Sequence, residues 1–312
     1  MKKISWVQLL MFFSSLLIGQ DNVLLYRSID GGNTWSSSAK GLPTTDRIDL
    51  ILQDGQMIYA LTESSGLYRS KDEGTSWNQP GFAMLLPPKI DALHKHNGLL
   101  FAGTYKNGVY VSADQGNSWI AANRGLSDST IRAFGSMGKM LLVGTNDGLY
   151  FSVDNGHEWR KLSSRMQVNA INVIGESIFV ATHRGIMVSK DGGEQWEWMK
   201  EGIAVQQLIA SGNLLYATTF GKTILKYQEE QNTWQDATAE FPAEGLYTRI
   251  LYSSQEALFV TQDQGLMVSK DQGKNWVALD KGLGDTTVFR DLKSVGPNLM
   301  LLGTGTKKHI NE

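Results

Sequence analysis

The chain contains no cysteine. Disulfides and thiolate metal sites are therefore excluded, and so is a bacterial lipid anchor, which requires cysteine at the cleavage point. Burial and sheet pairing must hold the fold by themselves. Proline is also scarce, at 6 residues against 33 glycines, a balance that suits many short strands joined by tight turns. No charge of one sign dominates, since 29 Lys and Arg face 31 Asp and Glu. A mildly acidic chain of this kind is not expected to bind nucleic acid or an anionic membrane. Beyond the first 19 residues no apolar run approaches the ~20 residues of a membrane span, so the mature chain is expected to be soluble.

The first 19 residues differ from the rest. Lys2 and Lys3 precede an apolar stretch from Trp6 to Ile18, and Gly19 offers a small residue for cleavage. This is the layout of a secretory signal peptide, with an uncleaved anchor as the alternative. The expectation is an exported chain, periplasmic or extracellular, with residues 20–312 as one domain.

What the sequence has in abundance is one repeated box, S-x-D-x-G-x-x-W. Six copies are intact, carrying Asp30 and Trp35, Asp72 and Trp77, Asp114 and Trp119, Asp154 and Trp159, Asp191 and Trp196, and Asp271 and Trp276. A seventh, which has lost its serine and glycine, ends at Trp234. Successive tryptophans lie 42, 42, 40, 37, 38 and 42 residues apart, a period that marks an array of like units. The aspartate is expected to accept hydrogen bonds from its own turn. The glycine allows positive φ there, and the tryptophan brings a large apolar face to the core between units. One carboxylate per unit, tens of residues from the next, does not assemble a calcium site.

The unit itself reads as four strands. Between residues 46 and 80, Arg47–Leu52 is strand A, Asp54-Gly55 a hairpin turn, Met57–Thr62 strand B and Leu67–Ser70 strand C. The box follows, and Trp77 opens strand D. Strand B recurs as an apolar run ending in threonine, as in Leu99–Thr104 and Met140–Thr145. Four antiparallel strands per ~40 residues make a propeller blade. Strands C and D alone stand at Val23–Ser28 and beyond, whereas Val288–Val295 and Asn298–Thr304 supply A and B without partners. Joining them completes a seventh blade and removes two exposed sheet edges. The expected fold is all-β, a seven-bladed propeller.

These boxes resemble those of the Asp-box, or BNR-repeat, β-propeller superfamily, whose members include sialidases, xyloglucanases, sortilin-type receptors and exported photosystem II assembly factors. The layout is most similar to the last group. The sialidase resemblance implies an Arg-Ile-Pro motif ahead of the first box, and this chain has none. A xyloglucanase requires two propellers, more than this length supplies. Trp198 is the one tryptophan after the N-terminal stretch outside the boxes, and it reads as core. Few platforms remain for stacking sugar rings.

In such propellers the boxes lie on one face, and ligands bind the opposite, loop face around the channel mouth. Aligning the A strands gives one polar residue per unit there, namely Asp49, Asp91, Arg132, Asn169, Gln206, Arg249 and Arg290. Adjacent Arg249 and Arg290 suit a carboxylate or phosphate. The alternative is that Arg290 pairs with Asp49 and Asp91 with Arg132. Tyr105, Phe220, Tyr247, His183 and Arg184 are accessory candidates on the same face. His94 and His96 share a strand face near an A-to-B turn, but with no third ligand in view they read as surface residues rather than a metal site.

The functional expectation is a non-catalytic, monomeric propeller that binds a protein or a small anionic or glycan ligand, without a cofactor. The alternative is a sialidase-like glycoside hydrolase that uses carboxylates and arginines at the channel mouth.

Overall fold

The structure is a computed structural model that describes residues 23–44, 46, 48–79, 90–164, 166–211, 214–220, 223–237, 250–253, 257–262, 265–279, 281–283, 288–295 and 298–304. These residues form seven antiparallel sheets and a single short 3-10 turn, Glu229–Gln231. Among them, no helix is long and apolar enough to cross a membrane.

Strands β1 (Val23–Ser28) and β2 (Ser36–Ser37) wait for partners from the far end of the chain. Blade 1 is β3 (Ile48–Asp54), β4 (Met57–Thr62) and β5 (Gly66–Ser70), with Asn78 bridging to Arg69 in place of a fourth strand. Blade 2 is β6 (Ile90–His96), β7 (Leu99–Thr104), β8 (Val109–Ser112) and β9 (Ile120–Ala121). Blade 3 is β10 (Ile131–Met137), β11 (Met140–Thr145), β12 (Gly148–Ser152) and β13 (Arg160–Ser164). Blade 4 is β14 (Val168–Ile174), β15 (Ser177–Thr182), β16 (Gly185–Ser189) and β17 (Glu197–Glu201). Blade 5 is β18 (Val205–Ser211), β19 (Leu214–Thr219), β20 (Ile224–Gln228) and β21 (Thr233–Asp236). Blade 6 is β22 (Ile250–Ser253), β23 (Leu258–Gln262), β24 (Gly265–Ser269) and β25 (Val277–Ala278). Finally β26 (Val288–Val295) and β27 (Asn298–Thr304) join β1 and β2 in the order β2-β1-β27-β26, which is blade 7. In this blade β1 pairs with β27 from Val23↔Thr304 to Ser28↔Leu299 without a break.

The A strands touch one another in a complete cycle, β3 to β6, β10, β14, β18, β22, β26 and back to β3. The chain is therefore a closed seven-bladed propeller, as the repeat predicts. Each gap between blades is filled by apolar side chains from both. Leu25 and Met300 of blade 7, for example, share a cluster with Ile51, Ile58 and Trp77 of blade 1.

The boxes brace their own turns. In all six, the serine hydroxyl donates to the aspartate Oδ1 at 2.7–2.8 Å and accepts the glycine N–H at 2.7–2.8 Å. The glycines have φ between 82° and 100°. Oδ1 also accepts the N–H four residues after the aspartate at 2.8–3.0 Å. Where that residue is Thr34, Ser76, Ser118 or Asn275, its side chain also donates to Oδ2 at 2.6–2.7 Å. The Thr34 and Ser76 hydroxyls and the Asn275 amide are the chief reason that Asp30, Asp72 and Asp271 ionise at about 2. At Asp114 partial desolvation is the largest single effect and raises the value, but Ser118 and the turn outweigh it and the carboxyl again sits at about 2. Asp154 and Asp191 are lowered chiefly by the Ser152 hydroxyl and the Gln195 N–H respectively.

The tryptophans are not equivalent. Trp35, Trp77 and Trp159 are 5%, 2% and 2% exposed, whereas Trp119, Trp196, Trp234 and Trp276 are half-buried. The three buried ones share a device that the box pattern does not reveal. A Lys-Gly-Leu or Arg-Gly-Leu segment that follows strand D of the preceding blade clasps each of them. Trp77, Trp159 and Trp35 donate their backbone N–H to the carbonyls of Lys40, Arg124 and Lys281 at 2.9, 2.9 and 3.2 Å. A Cβ on Gly41, Gly125 or Gly282 would lie only 2.1–2.3 Å from the tryptophan carbonyl oxygen, so only glycine permits the approach. Trp77 and Trp159 add indole bonds to the Ser38 and Ala122 carbonyls at 2.7 and 2.8 Å. In the degraded unit Asn232 takes φ of 50° and the blade stays intact.

Two outcomes follow. Because the box carboxylates are depressed below their unfolded value of 3.8, their contribution to stability is present above about pH 4 and is lost as the pH falls toward 2. Urea midpoints should drop across that window, and Asp72→Asn, removing at most about 1 kcal/mol from an exposed carboxylate, should flatten part of the slope. Trp159→Ala should cost about 3–5 kcal/mol in thermal or urea unfolding, and Trp276→Ala clearly less. Equal losses would refute the clasp.

Candidate loop-face site

Pairing register places the aligned polar residues in one structural class. Strand A of blades 1, 2, 3, 4, 5 and 7 breaks its register at Ile48/Leu50, Ile90/Ala92, Ile131/Ala133, Val168/Ala170, Val205/Gln207 and Phe289/Asp291. The residue skipped in each case is Asp49, Asp91, Arg132, Asn169, Gln206 or Arg290. Every one is the extra residue of a β-bulge, a feature that bends a strand and re-aims one side chain. The residue before each bulge is apolar and at most 5% exposed, so the backbone is pinned on one side of the irregularity. Arg249 and Tyr247 lie outside the described residues, and for Arg290 the strand position is described but not the side chain.

The bulges sit beside the B-to-C loops, which are themselves braced. Thr62, Thr104, Thr145 and Thr182, all buried at the ends of B strands, donate their hydroxyls to the Gly66, Gly108, Gly148 and Gly185 carbonyls at 2.9–3.1 Å. The segment entering strand A is tied to the same loops. Asp46 accepts the Ser64 N–H at 3.1 Å and the Ser65 N–H at 2.5 Å, Gly108 donates to Ser129 at 2.8 Å, and Phe220 donates to Ala204 at 3.3 Å. Burial works to raise the Asp46 value, yet the Ser65 and Thr62 bonds and the two N–H groups hold it below the ordinary carboxylate range. The described B-to-C loops of blades 1 to 4 are thus braced from within and, at several points, by the segment that enters an A strand.

Side chains at the bulges reach their neighbours. Arg132 donates from Nε to Asn146 Oδ1 at 2.6 Å, in its own B-to-C loop. Asn169 accepts from Gln167 at 2.7 Å and donates to the Val205 carbonyl of the next blade at 2.8 Å. Asp49 and Gln206 are half-buried and Asp91 is exposed. Around the ring the column runs from acid in blades 1 and 2, through Arg132, to amides in blades 4 and 5.

The accessory residues do not all join it. Tyr105 and Phe220 are 44% and 58% exposed, and the Lys106 ammonium lies 5.1 Å from the Tyr105 ring centre. His183 accepts the Gln167 N–H at 3.2 Å and so serves as a loop brace. Arg184 turns to the outermost strand of its own blade, pairing with Glu201 at 2.9 Å and lying 5.5 Å from the Trp198 ring centre. Trp198 is accordingly half core and half platform.

Two described clefts, of about 370 and 430 Å³, open instead beside the boxes, against Asn155–His157 and against Lys71–Thr75. The expectation that His94 and His96 are surface residues is incorrect. His96 is 5% exposed and His94 half-buried, because both turn into the seam between blades 2 and 3. Burial, and then the neighbouring His96, push the His94 imidazole down to about 4.

Replacing Asp46 with alanine should remove the acceptor of the Ser64 N–H, leave the Ser65 N–H with Thr62 Oγ1 alone, and cost about 1–3 kcal/mol. Amide exchange should quicken at Ser64 and Ser65, while the boxes stay protected.

Residues 1–128 match the family model described as the DUF6242 beta propeller domain. A comparison with curated proteins finds no match. Among solved structures the chain is similar to YCF48 bound to D1 peptide, at 15% identity and TM-score 0.68 over 87% of this chain and 96% of that one. It is equally similar, at 15% identity and TM-score 0.68, to the extracellular domain of a putative one component system from B. thetaiotaomicron, over 85% of this chain but only 39% of that one. A GH74 xyloglucanase from Xanthomonas campestris matches at 17% identity and TM-score 0.59, over 81% and 46% of the two chains. Identities this low speak to fold. With its boxes, its closed ring and these likenesses together, the chain is a seven-bladed β-propeller similar in architecture to YCF48 and to extracellular propeller domains.

Proposed function

We propose that this is an exported, non-catalytic propeller whose loop face binds an extended protein segment or a small anionic ligand at the ring of bulge residues. The observation that carries the reading is the bulge itself. Six blades spend a ladder position at the same place, and each sets a polar residue there. A bulge repeated for stability alone would not need a polar side chain that changes from acid to base to amide around the ring. Arg290 and Arg249, adjacent in the aligned column, supply the anion-binding arc. The peptide complex of YCF48 and the extracellular placement of the B. thetaiotaomicron domain support the peptide and export parts of the reading.

The test is face-selective cross-linking. A photoreactive residue at Tyr105 or Phe220 should capture one dominant partner from the exported fraction, and the same probe at Ile29, in a box, should not. Arg249→Ala with Arg290→Ala should abolish capture while leaving the unfolding temperature unchanged. Capture that ignores the face, or survives the double substitution, would overturn the site.

A glycoside hydrolase is the second reading, because Asp49 and Asp91 occupy equivalent bulges on adjacent blades. Turnover of chromogenic glycosides that is lost in Asp49→Asn and Asp91→Asn would promote it over the first.

A further inference from the structure

A histidine pair lies in the seam between blades 2 and 3, on the box side. His94 and His96 stand two residues apart on β6, so their side chains share one sheet face. Both point at a single atom of the neighbouring blade. His94 Nε2 lies 2.7 Å from Ser136 Oγ, and His96 Nδ1 lies 3.0 Å from the same oxygen. The other nitrogen of His96 lies 3.2 Å from the Lys139 carbonyl, to which it can only donate. Asn97 Nδ2 also approaches this nitrogen, at 3.1 Å; in the tautomer that donates from Nε2 to Lys139, the Nδ1 lone pair faces Ser136. The His94 ring is held by stacking on Phe134, at 5.9 Å between centres and 14° between planes.

We propose that His94 Nε2 and His96 Nδ1 chelate a divalent transition-metal ion across this seam, with Ser136 Oγ and water completing its coordination. An ion bound by imidazole sits about 2.0–2.1 Å from each nitrogen, inside the 2.7 and 3.0 Å at which Ser136 Oγ now lies, so β10 must draw back slightly at Ser136 for its hydroxyl to become a third ligand. His94 must then carry its hydrogen on Nδ1. A ligating histidine whose second nitrogen donates to a backbone carbonyl is the usual arrangement that fixes ring orientation at a metal, and His96 with Lys139 already has it. Lys95, the charged residue between the two histidines, is engaged with Asp54 of blade 1, which reduces its opposition to a cation.

The donor set defines the ion. Among the described residues no three His, Cys, Asp or Glu side chains gather. Two imidazoles with a hydroxyl and water favour copper(II), nickel(II) or zinc(II), and offer little to calcium or magnesium, which take oxygen ligands. Once bound, the ion staples β6 to β10 at the box end, opposite the loop face.

The experiment uses the full chain without a histidine tag. Titration with copper(II) chloride should show one saturable site, and the electron paramagnetic resonance spectrum should carry hyperfine structure from two imidazole nitrogens. His94→Gln and His96→Gln should each weaken binding by at least roughly tenfold, whereas His183→Gln, on the opposite face, should not. Zinc chloride should raise the unfolding temperature of the wild type and not of His94→Gln. A wild-type spectrum lacking two nitrogen ligands would sink the proposal even if the buried His96 variant failed to fold. So would undiminished copper binding by His94→Gln.

Discussion

Each blade of this propeller is a four-stranded sheet that cannot bury both of its faces by itself, so every blade depends on the apolar contact with its two neighbours. That dependence has no natural end in an open stack. It is satisfied here only because β1 pairs along its whole length with β27, which gives blades 6 and 1 a common neighbour and returns the ring to its start. Leu25 and Met300, contributed by opposite ends of the sequence, meet in one cluster with Trp77. The absence of cysteine leaves nothing covalent to back this closure, so non-covalent burial must carry it.

On top of that constraint the box and the clasp divide the labour. The box is a local device, since serine, aspartate and glycine satisfy one another within five residues and shape the turn that launches strand D. The clasp is an inter-blade device in which a glycine at φ near 90° lets one backbone ride against the next tryptophan. Where the clasp is present, at Trp35, Trp77 and Trp159, the indole is buried. Blade 4 offers Gly202 in the equivalent place, but a Cβ there would meet nothing within 4 Å, and the unit that follows is the one whose box has decayed to Trp234.

The two faces differ in kind as a result. The box face is built from repeated, self-satisfied turns and carries the half-buried histidine seam. On the loop face the residues that do not repeat are displayed. Its scaffold is regular, with threonines capping B strands and a bulge opening the A strand in six blades, but the side chain at the bulge is an acid, a base or an amide depending on the blade. Regular support beneath a variable residue is the arrangement expected of a recognition surface, because position is fixed by the fold and chemistry is left free.

The repeat period, the box chemistry and the complementary ends were all legible in the sequence, since they rest on local spacing and on counting strands. So was the polar column from Asp49 to Arg290, because one substitution pattern recurs at one place in each unit. Its meaning was not legible, as a bulge is a relation between two strands, and it shows only when Ile131 is seen opposite Thr145 and Ala133 opposite Gly144. For the same reason the turn of Arg184 toward Glu201 could not be foreseen, its partner being on the outermost strand. His94 and His96 looked like surface residues because Ser136 and Lys139, which draw them inward, lie about 40 positions away on another blade. The sequence by itself determined seven blades and where the turns fall, since those follow from interactions within one unit. Only the tertiary structure decided which side chains sit at bulges, pair within a blade or turn into a seam, since that depends on how strands and units are set against one another.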